Sequence, residues 1–464
     1  MEKKTSSPEW SVTDVPQKTD SRQLKSSSMN LIYVRKASYP DNFEQDYQLN
    51  LQYFADGVGI DPVAKVPYDL IDVVNGSAIK ARLQMNSTAL GLYLNVLVEM
   101  ERANSSNARQ RLIDVITLID KMPKWHGLAY WMYQIEPSGD LSLSPTATAS
   151  AVDAANLVTS LAAVAGAYWH DDDPQMQNLA KQVDAIIRNT SKGWCSLYDE
   201  EKGLLKAAWS LENNDYAEYH IDRKSNESRL APLWAHLITR ETTNEIPIEA
   251  FTKMQAFTAS YLSCNGDTLT PLLTWKGAYF QAMLPSIWFD EYALVPTPTM
   301  FDDLTQVQID FTSPLNIPFL SSASTIDAQY SEFGVDAMSE HYFLDPNESV
   351  QVEVGSPHAT ALLAILDPTS AVTRLNAVKA QHPQIAGPYG WYDAINSGGD
   401  VVNRLIGLDQ GMFVSAFLAT QIQQDVKCYI VSSFGQRAWD AVEAMYASFV
   451  ANGSYDNKRN MHTP

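Results

Sequence analysis

From about residue 40 to residue 450 the apolar positions recur at three- and four-residue intervals, the spacing of one helix face. Leu90, Leu94, Leu97 and Met100 share one side of a segment that predicts a helix over 88–103, with Ser87 as its N-cap. Leu112, Val115, Ile116 and Ile119 predict a second over 108–121. The stretch 147–168 is apolar nearly all round, as befits a helix buried in a core layer. Further helices are expected at about 174–190, 226–240, 247–263, 275–288, 356–366, 369–380, 409–424 and 434–449.

Strand signals are few. Trp194 to Leu205 predicts a hairpin turning at Asp199 to Gly203, and a short β pair is expected near Val350 to Val354. No repeat of fixed period occurs, which excludes an open solenoid. About a dozen helices, the most apolar alternating with amphipathic ones, predict a mainly α fold. The expected architecture is a closed double ring, an (α/α)6 toroid, with small β-hairpins in long loops gathered on one face. That ring would be a single domain over residues 41–450, with residues 1–40 a polar arm and 451–464 a polar tail.

Composition narrows the function. The chain of 464 residues carries 33 Lys+Arg against 54 Asp+Glu, a formal charge of −21. Phosphate backbones and anionic membrane surfaces are therefore unfavourable partners. The longest apolar runs, such as Leu157 to Ala167, fall short of the roughly 20 residues that a bilayer span needs. Three cysteines, Cys195, Cys264 and Cys428, stand far apart without metal-ligand spacing or a disulfide framework. The first residues, Met-Glu-Lys-Lys-Thr-Ser-Ser-Pro, lead into no apolar segment, so no signal peptide is visible. The expectation is a cytoplasmic protein as written, or a periplasmic one if an export signal has been removed.

Phosphate-loop, dinucleotide, nucleophile-elbow and zinc-helix motifs are all absent from the sequence. His170-Asp-Asp-Asp173 reads as a helix end followed by an acidic cap, and neither a metal nor a cofactor is expected. What the loops concentrate is aromatic residues beside carboxylates: 124–133, 193–205, 213–222, 329–344 and 387–397. With 11 Trp and 22 Tyr available, such loops suit an oligo- or polysaccharide. Sugar rings stack their C–H faces on aromatic rings, and their hydroxyls need polar partners. Cleaving a glycosidic bond then takes two carboxyl groups, one to protonate the leaving oxygen and one to activate water or attack the anomeric carbon.

Asp153, Glu227, Asp393 and Asp409 are the acids placed to serve; Glu332 and Glu340 can equally be solvated loop acids. Each of the four also has a bland reading, as a cap, a first-turn or a turn residue.

Several motifs then come in a recognisable order. They are Ala149-Ser-Ala-Val-Asp-Ala-Ala-Asn-Leu157, Gly203-Leu-Leu, Tyr219-His-Ile-Asp with Glu227-Ser-Arg-Leu, and Trp275-Lys-Gly-Ala-Tyr-Phe-Gln-Ala-Met-Leu-Pro285. Phe333-Gly-Val-Asp, Pro357-His-Ala-Thr-Ala-Leu, Gly390-Trp-Tyr-Asp-Ala-Ile-Asn396 and Gly407-Leu-Asp-Gln-Gly-Met complete the series. From about Ser87 to Val450 this order resembles the bacterial glycoamylase-like superfamily. Its members include the β-1,2-glucanases of glycoside hydrolase family 144 and the glycoamylase-like domain of cyclic β-1,2-glucan synthases.

The resemblance implies an (α/α)6 barrel acting on a β-glucan, most of all a β-1,2-linked one. It makes Glu227 the acid of the Glu-Ser-Arg motif, Asp153 the acid of an inner helix and Asp393 the Tyr-Asp-Ala aspartate. Asp409 is the Asp-Gln-Gly aspartate. Candidate sugar contacts are Trp131, Asn156, Tyr219, Arg229, Trp275, Gln281, Trp391, Tyr392, Asp409 and Gln410. Two departures stand out: Asp rather than Glu at 153, and Gln281 where related chains tend to carry an acid. They motivate a second expectation, a non-catalytic polysaccharide-binding protein. A third is a polysaccharide lyase with Tyr219 or His220 as base.

Overall fold

The computed structural model describes residue 34, residues 38–80 and residues 82–455. Most of the expected N-terminal arm and the last nine residues of the expected tail lie outside the described residues. Where the described chain starts, the Ser38 amide donates to the Phe417 carbonyl and the Tyr39 ring packs 4.7 Å from Tyr47. After Val450, Gly453–Tyr455 runs parallel to Phe257–Ala259 as a paired strand.

Helices dominate, with many strands of two to five residues between them. The principal helices are α1 (Glu44–Leu51), α2 (Ser87–Arg102), α3 (Ala108–Lys121), α4 (Ala151–Tyr168), α5 (Pro174–Arg188) and α6 (Leu230–Thr239). The second half adds α7 (Thr299–Leu315), α8 (Pro357–Leu362), α9 (Pro368–Gln381), α10 (Gly407–Ala416), α11 (Ala419–Phe434) and α12 (Gln436–Ala447).

Two kinds of helix alternate. In α2, α4, α6, α8 and α10 nearly every residue is buried, whereas α3, α5, α9, α11 and α12 bury one stripe each. α4 touches α2, α5, α6 and α11, so its sides are enclosed by protein. It is apolar enough by composition to cross a membrane, but 83% of it is buried inside the molecule. The contact with α11 is backbone to backbone: a Cβ at Gly166 would lie 1.8 Å from the Asp425 carbonyl oxygen. Any larger residue there forces the two helices apart.

Several elements differ from the sequence expectation. The predicted helix over 409–424 is two, α10 and α11, parted at Phe417–Leu418; α1 is unpredicted; and of the β pair expected near Val350 to Val354 only Val354 lies in a strand, which pairs with Ala394–Asn396. The predicted helix over 247–263 is short, Glu249–Thr252, because the next residues are drawn into pairing with Gly453–Tyr455. The predicted hairpin begins as a helix, Ser191–Leu197, and only Tyr198–Asp199 and Leu204–Lys206 pair. α7 is unpredicted; its buried face includes Thr305, Gln308, Asp310 and Thr312, and it contains Pro314, which together mask the helical period.

The buried helices share a construction that positions the site. Each starts where a short extended or turn segment ends: Gln84–Asn86 before α2, Thr148–Ser150 before α4, a 3-10 turn Glu227–Arg229 before α6, Val354–Gly355 before α8 and Arg404–Ile406 before α10. These segments are tied into small sheets, with Thr148–Ser150 pairing Ala208–Ser210, Val354–Gly355 pairing Ala394–Asn396, and Arg404–Ile406 pairing Leu70–Val74.

Candidate active site

The carboxylates singled out by sequence fall largely in first turns of buried helices. Asp153 is the third residue of α4, behind an N-cap in which Ser150 Oγ accepts from the Asp153 amide at 3.2 Å. Asp409 is the third residue of α10, and Glu227 opens the turn that leads into α6. Helix N-termini present unpaired N–H groups, so acids are favoured there electrostatically. Burial works the other way, and at this site burial prevails.

Glu227 and Asp153 form one corner. The Glu227 carboxyl is pushed up to about 7, chiefly by burial; Asp153 and Glu332 push the same way and Arg229 opposes. Its Oε2 is buried and accepts no hydrogen bond. Asp153 is also raised by burial, against donation from Ser150 and Thr88. Thr88, the second residue of α2, donates to Asp153 Oδ1 at 2.8 Å and accepts from Asn156 Nδ2 at 3.1 Å. Asn156 Oδ1 is left unpaired. Asn226 Oδ1 accepts from the Trp275 amide at 3.2 Å, which places Trp275 beside Glu227.

Asp393 and Asp409 form a second corner with His358 of α8. The three present atoms within 4.8 Å of one another, and all three residues are buried. Asp393 Oδ2 accepts from the Ser324 amide at 2.6 Å, while Asp393 Oδ1 and both Asp409 oxygens accept no hydrogen bond from an N–H or hydroxyl donor. Burial, then the Asp393 charge, drives the Asp409 carboxyl well above the ordinary range. Burial drives His358 down to about 4, so its ring is neutral at ordinary pH.

Asp69, on the loop before Leu70–Val74, joins the corners and was invisible to sequence reasoning. Its backbone is clamped on both sides, the amide donating to Gln84 O and the carbonyl accepting from Gly407 N, each at 2.7 Å. Its carboxyl is raised to about 6 by burial, with Arg82 and Arg404 opposing and Asp153 reinforcing. Tyr330, on the hairpin Ala323–Ser331, is 55% exposed. Burial of its hydroxyl end, then the charges of Asp409, Asp393, Glu332 and Asp69, hold the phenol firmly protonated. Thr88, His358 and Tyr330 are further members that spacing did not single out.

Of the expected sugar contacts, Trp131 and Tyr219 are open, at 40% and 54% exposed, and Trp275 is half-buried. Gln281 is buried, its Oε1 accepting from the Lys276 amide at 3.4 Å. Gln410 is buried and donates to the Trp391 carbonyl at 2.9 Å, leaving its Oε1 unpaired.

Three expectations need correction. Arg229 is fully buried, and its guanidinium donors are taken by Glu291 Oε1 and Oε2, both at 2.6 Å, and by the carbonyls of Asn226, Gln281 and Ala282. It supports the turn carrying Glu227 and has nothing left for a sugar. Trp391 is fully buried, its indole N–H donating to Asp46 Oδ1 at 2.9 Å. Tyr392 is 8% exposed, with its ring against Gly387. Neither ring offers a face for stacking. The lyase bases fare no better. His220 Nε2 is paired with Asp199 at 2.9 Å, and burial raises the Tyr219 phenol, which keeps its proton at neutral pH.

No family model and no curated protein sequence matches the chain. Solved structures do. An endo-β-1,2-glucanase from Chitinophaga pinensis, in complex with sophorotriose and glucose, superposes with a TM-score of 0.66 at 16% identity, over 86% of this chain and 97% of that one. An endo-β-1,2-glucanase variant from Talaromyces funiculosus, in complex with β-1,2-glucan, gives 0.71 at 13%, over 89% and 91%. A β-1,2-glucanase from Parabacteroides distasonis gives 0.65 at 13%, over 87% of this chain and 60% of that one. The chain thus has the fold of the glycoamylase-like β-1,2-glucanases that the order of its motifs resembles.

Proposed function

We propose that this protein is a glycoside hydrolase that cleaves a β-glucan, with β-1,2-linked glucan as its substrate, and that its alternating helices close into an (α/α)6 toroid around the site. One observation carries the reading. One site holds an acid that keeps its proton near neutrality, Glu227 in the turn before α6, and a separate buried acid with an unfilled acceptor, Asp393 Oδ1, on the turn between Gly390–Trp391 and Ala394–Asn396. A glycosidase needs that division of labour.

Glu227 is the general acid: its proton passes to the leaving glycosidic oxygen as the C–O bond breaks. Asp153, beside it, disfavours a second negative charge and so helps keep that proton in place. Asp153 is itself raised and already accepts the Thr88 hydroxyl, which makes it a poor nucleophile. Asp393 is the base. It removes a proton from the attacking water, whose oxygen bonds to the anomeric carbon from the opposite face, so the product has inverted configuration. Trp131 and Trp275 stack on the glucan.

The test is to incubate the protein with a panel of glucans, β-1,2-glucan included, and follow new reducing ends and product anomers. Release from β-1,2-glucan, lowered about 10²- to 10⁴-fold in Glu227→Gln, is expected. Saturable glycan binding without product from any glucan would replace the hydrolase with a binding protein. Full activity in Glu227→Gln would remove that residue from the acid role.

A further inference from the structure

The second corner contains more acid than a single base requires. Asp393 and Asp409 are each 2% exposed and face one another, with three of their four carboxyl oxygens lacking an N–H or hydroxyl donor. Two naked carboxylates at such proximity, out of water, repel strongly. Either a cation or a proton must lie between them.

The hydrogen bonds around His358 discriminate between the two. Ser356 Oγ lies 2.5 Å from the Asp393 carbonyl oxygen, a contact that requires the serine proton to sit there. Ser356 Oγ also lies 2.6 Å from His358 Nδ1, and with its only proton spent it must accept, so Nδ1 carries the hydrogen. His358 Nε2, the remaining lone pair, faces the Ser321 hydroxyl at 3.1 Å and accepts from it. Nδ1 thus spends its one N–H on Ser356 and has no lone pair to offer an ion held at Asp409 Oδ2, 3.6 Å away. A metal ion on that side would meet a hydrogen in place of a ligand.

We infer that Asp393 and Asp409 share one proton, residing on Asp409 and donated to Asp393, and that Asp409 is the positioning residue that aims and tunes the base. The inference rests on the reading of Asp393 as that base. The remaining groups facing the pair agree with a single negative charge there. They are the Ser324 amide on Asp393, neutral His358 from α8, the protonated phenols of Tyr330 and Tyr53, and the Asp69 carboxyl across the site. Tyr53 is fully buried, with its hydroxyl donating to the Tyr68 carbonyl at 2.6 Å. During the reaction Asp393 takes the water proton while the Asp409 O–H bond stays whole, so the pair passes from a monoanion to a neutral diacid.

The shared proton makes a prediction that a metal ligand or a second base would not. Asn at 409 supplies an N–H donor in nearly the same place, whereas Asn at 393 removes the base. Asp393→Asn should lower kcat about 10³-fold and Asp409→Asn only about tenfold, with Asp409→Ala between them. The acidic limb of the kcat profile should move to higher pH in Asp409→Asn, because an amide stabilises the Asp393 anion less than a carboxylic acid does.

A second readout needs no substrate. In protein carrying ¹³C at aspartate carboxyls, the infrared difference between wild type and Asp409→Asn at pH 7 should contain a protonated carboxyl band that shifts in D2O. That band tests the pair even if no glucan is cleaved, so failure of the function and failure of the pair are distinguishable. Absence of the band, or an Asp409→Asn as inactive as Asp393→Asn with an unchanged melting temperature, would overturn the inference. So would a melting temperature raised by Ca²⁺ or Zn²⁺ in wild type and not in Asp409→Asn.

Discussion

Two places in this molecule bury charge, and they do so in opposite ways. At Arg229 and Glu291 both side chains are fully buried, and the guanidinium finds a carboxylate or carbonyl for every direction in which it donates; Ser286 Oγ adds a further donor to Glu291. At the site, Asp393 and Asp409 are buried and Glu227 is half-buried, and each carries a buried carboxyl oxygen whose acceptor is unfilled. A saturated ion pair has no capacity left for a ligand, and its work is to hold the turn Glu227–Arg229 against the segment around Ala282 and Glu291. An unsaturated acid is held at an energetic cost by the surrounding fold, and it can exchange protons or receive a hydroxyl. Two residues of one motif, Glu227 and Arg229, fall on opposite sides of that divide.

Removing one member of the saturated pair is the severest way to break the contrast. Arg229→Met leaves Glu291 charged, buried and uncompensated, and should cost about 3–5 kcal/mol of stability in urea unfolding. Arg229→Met combined with Glu291→Leu should recover most of that loss, since no buried charge remains. If the double variant stays as unstable as the single one, the pair is doing something other than neutralising itself.

Substituting the unsaturated acid should do the reverse. Glu227→Gln is expected to be at least as stable as wild type, and the comparison sharpens with pH. The carboxyl stands at about 7 in the folded protein against an ordinary 4.5, so between those values the folded state holds a proton that the unfolded chain has released. Stability from this group therefore falls as pH rises from about 4.5 to about 7 and is flat above. Glutamine cannot titrate, so the stability advantage of Glu227→Gln should grow across that window and then level off. Denaturation midpoints at pH 4, 6 and 8 would measure it. An advantage independent of pH would mean that Glu227 is no more desolvated than an ordinary surface acid.

The contrast also explains what could be read from sequence. α2 and α4 were legible because their apolar positions announce both the helix and its burial, and the acid of α4, Asp153, stands out against Ala and Val neighbours. Glu227, Asp393 and Asp409 were legible as motif members. The fate of Arg229 was not, because which way a side chain leaves a 3-10 turn depends on Glu291, 62 residues on. Asp69 was illegible for the same reason: Gly407 and Arg404, more than 300 positions away, make it a site residue. Trp391 looked like a sugar platform beside Asp393, but its indole is claimed by Asp46 of α1, where no motif was visible.

Trp131 offers the smallest effect and the cleanest control on that last point. It is 40% exposed, where Trp391 is fully buried, yet sequence treats the two alike. Its backbone is part of the scaffold: the carbonyl accepts from the Ser87 amide at 3.0 Å and the amide donates to Thr148 O at 2.8 Å, next to the starts of α2 and α4. The residue is thereby fixed beside the starts of α2 and α4, with its side chain partly open to solvent. Trp131→Ala keeps the backbone bonds and removes a ring that is partly in water, so unfolding stability should fall by less than the roughly 3–5 kcal/mol that truncating a fully buried tryptophan costs. Loss of a stacking face should raise KM for long β-1,2-glucans by roughly tenfold, about 1.4 kcal/mol, with kcat far less affected, because stacking holds ground state and transition state alike. Short oligosaccharides that do not reach the ring should be insensitive to the substitution. A fall in kcat with KM unchanged would instead place Trp131 against the reacting sugar, and an unchanged KM and kcat would confine glucan binding to the half-buried aromatic, Trp275.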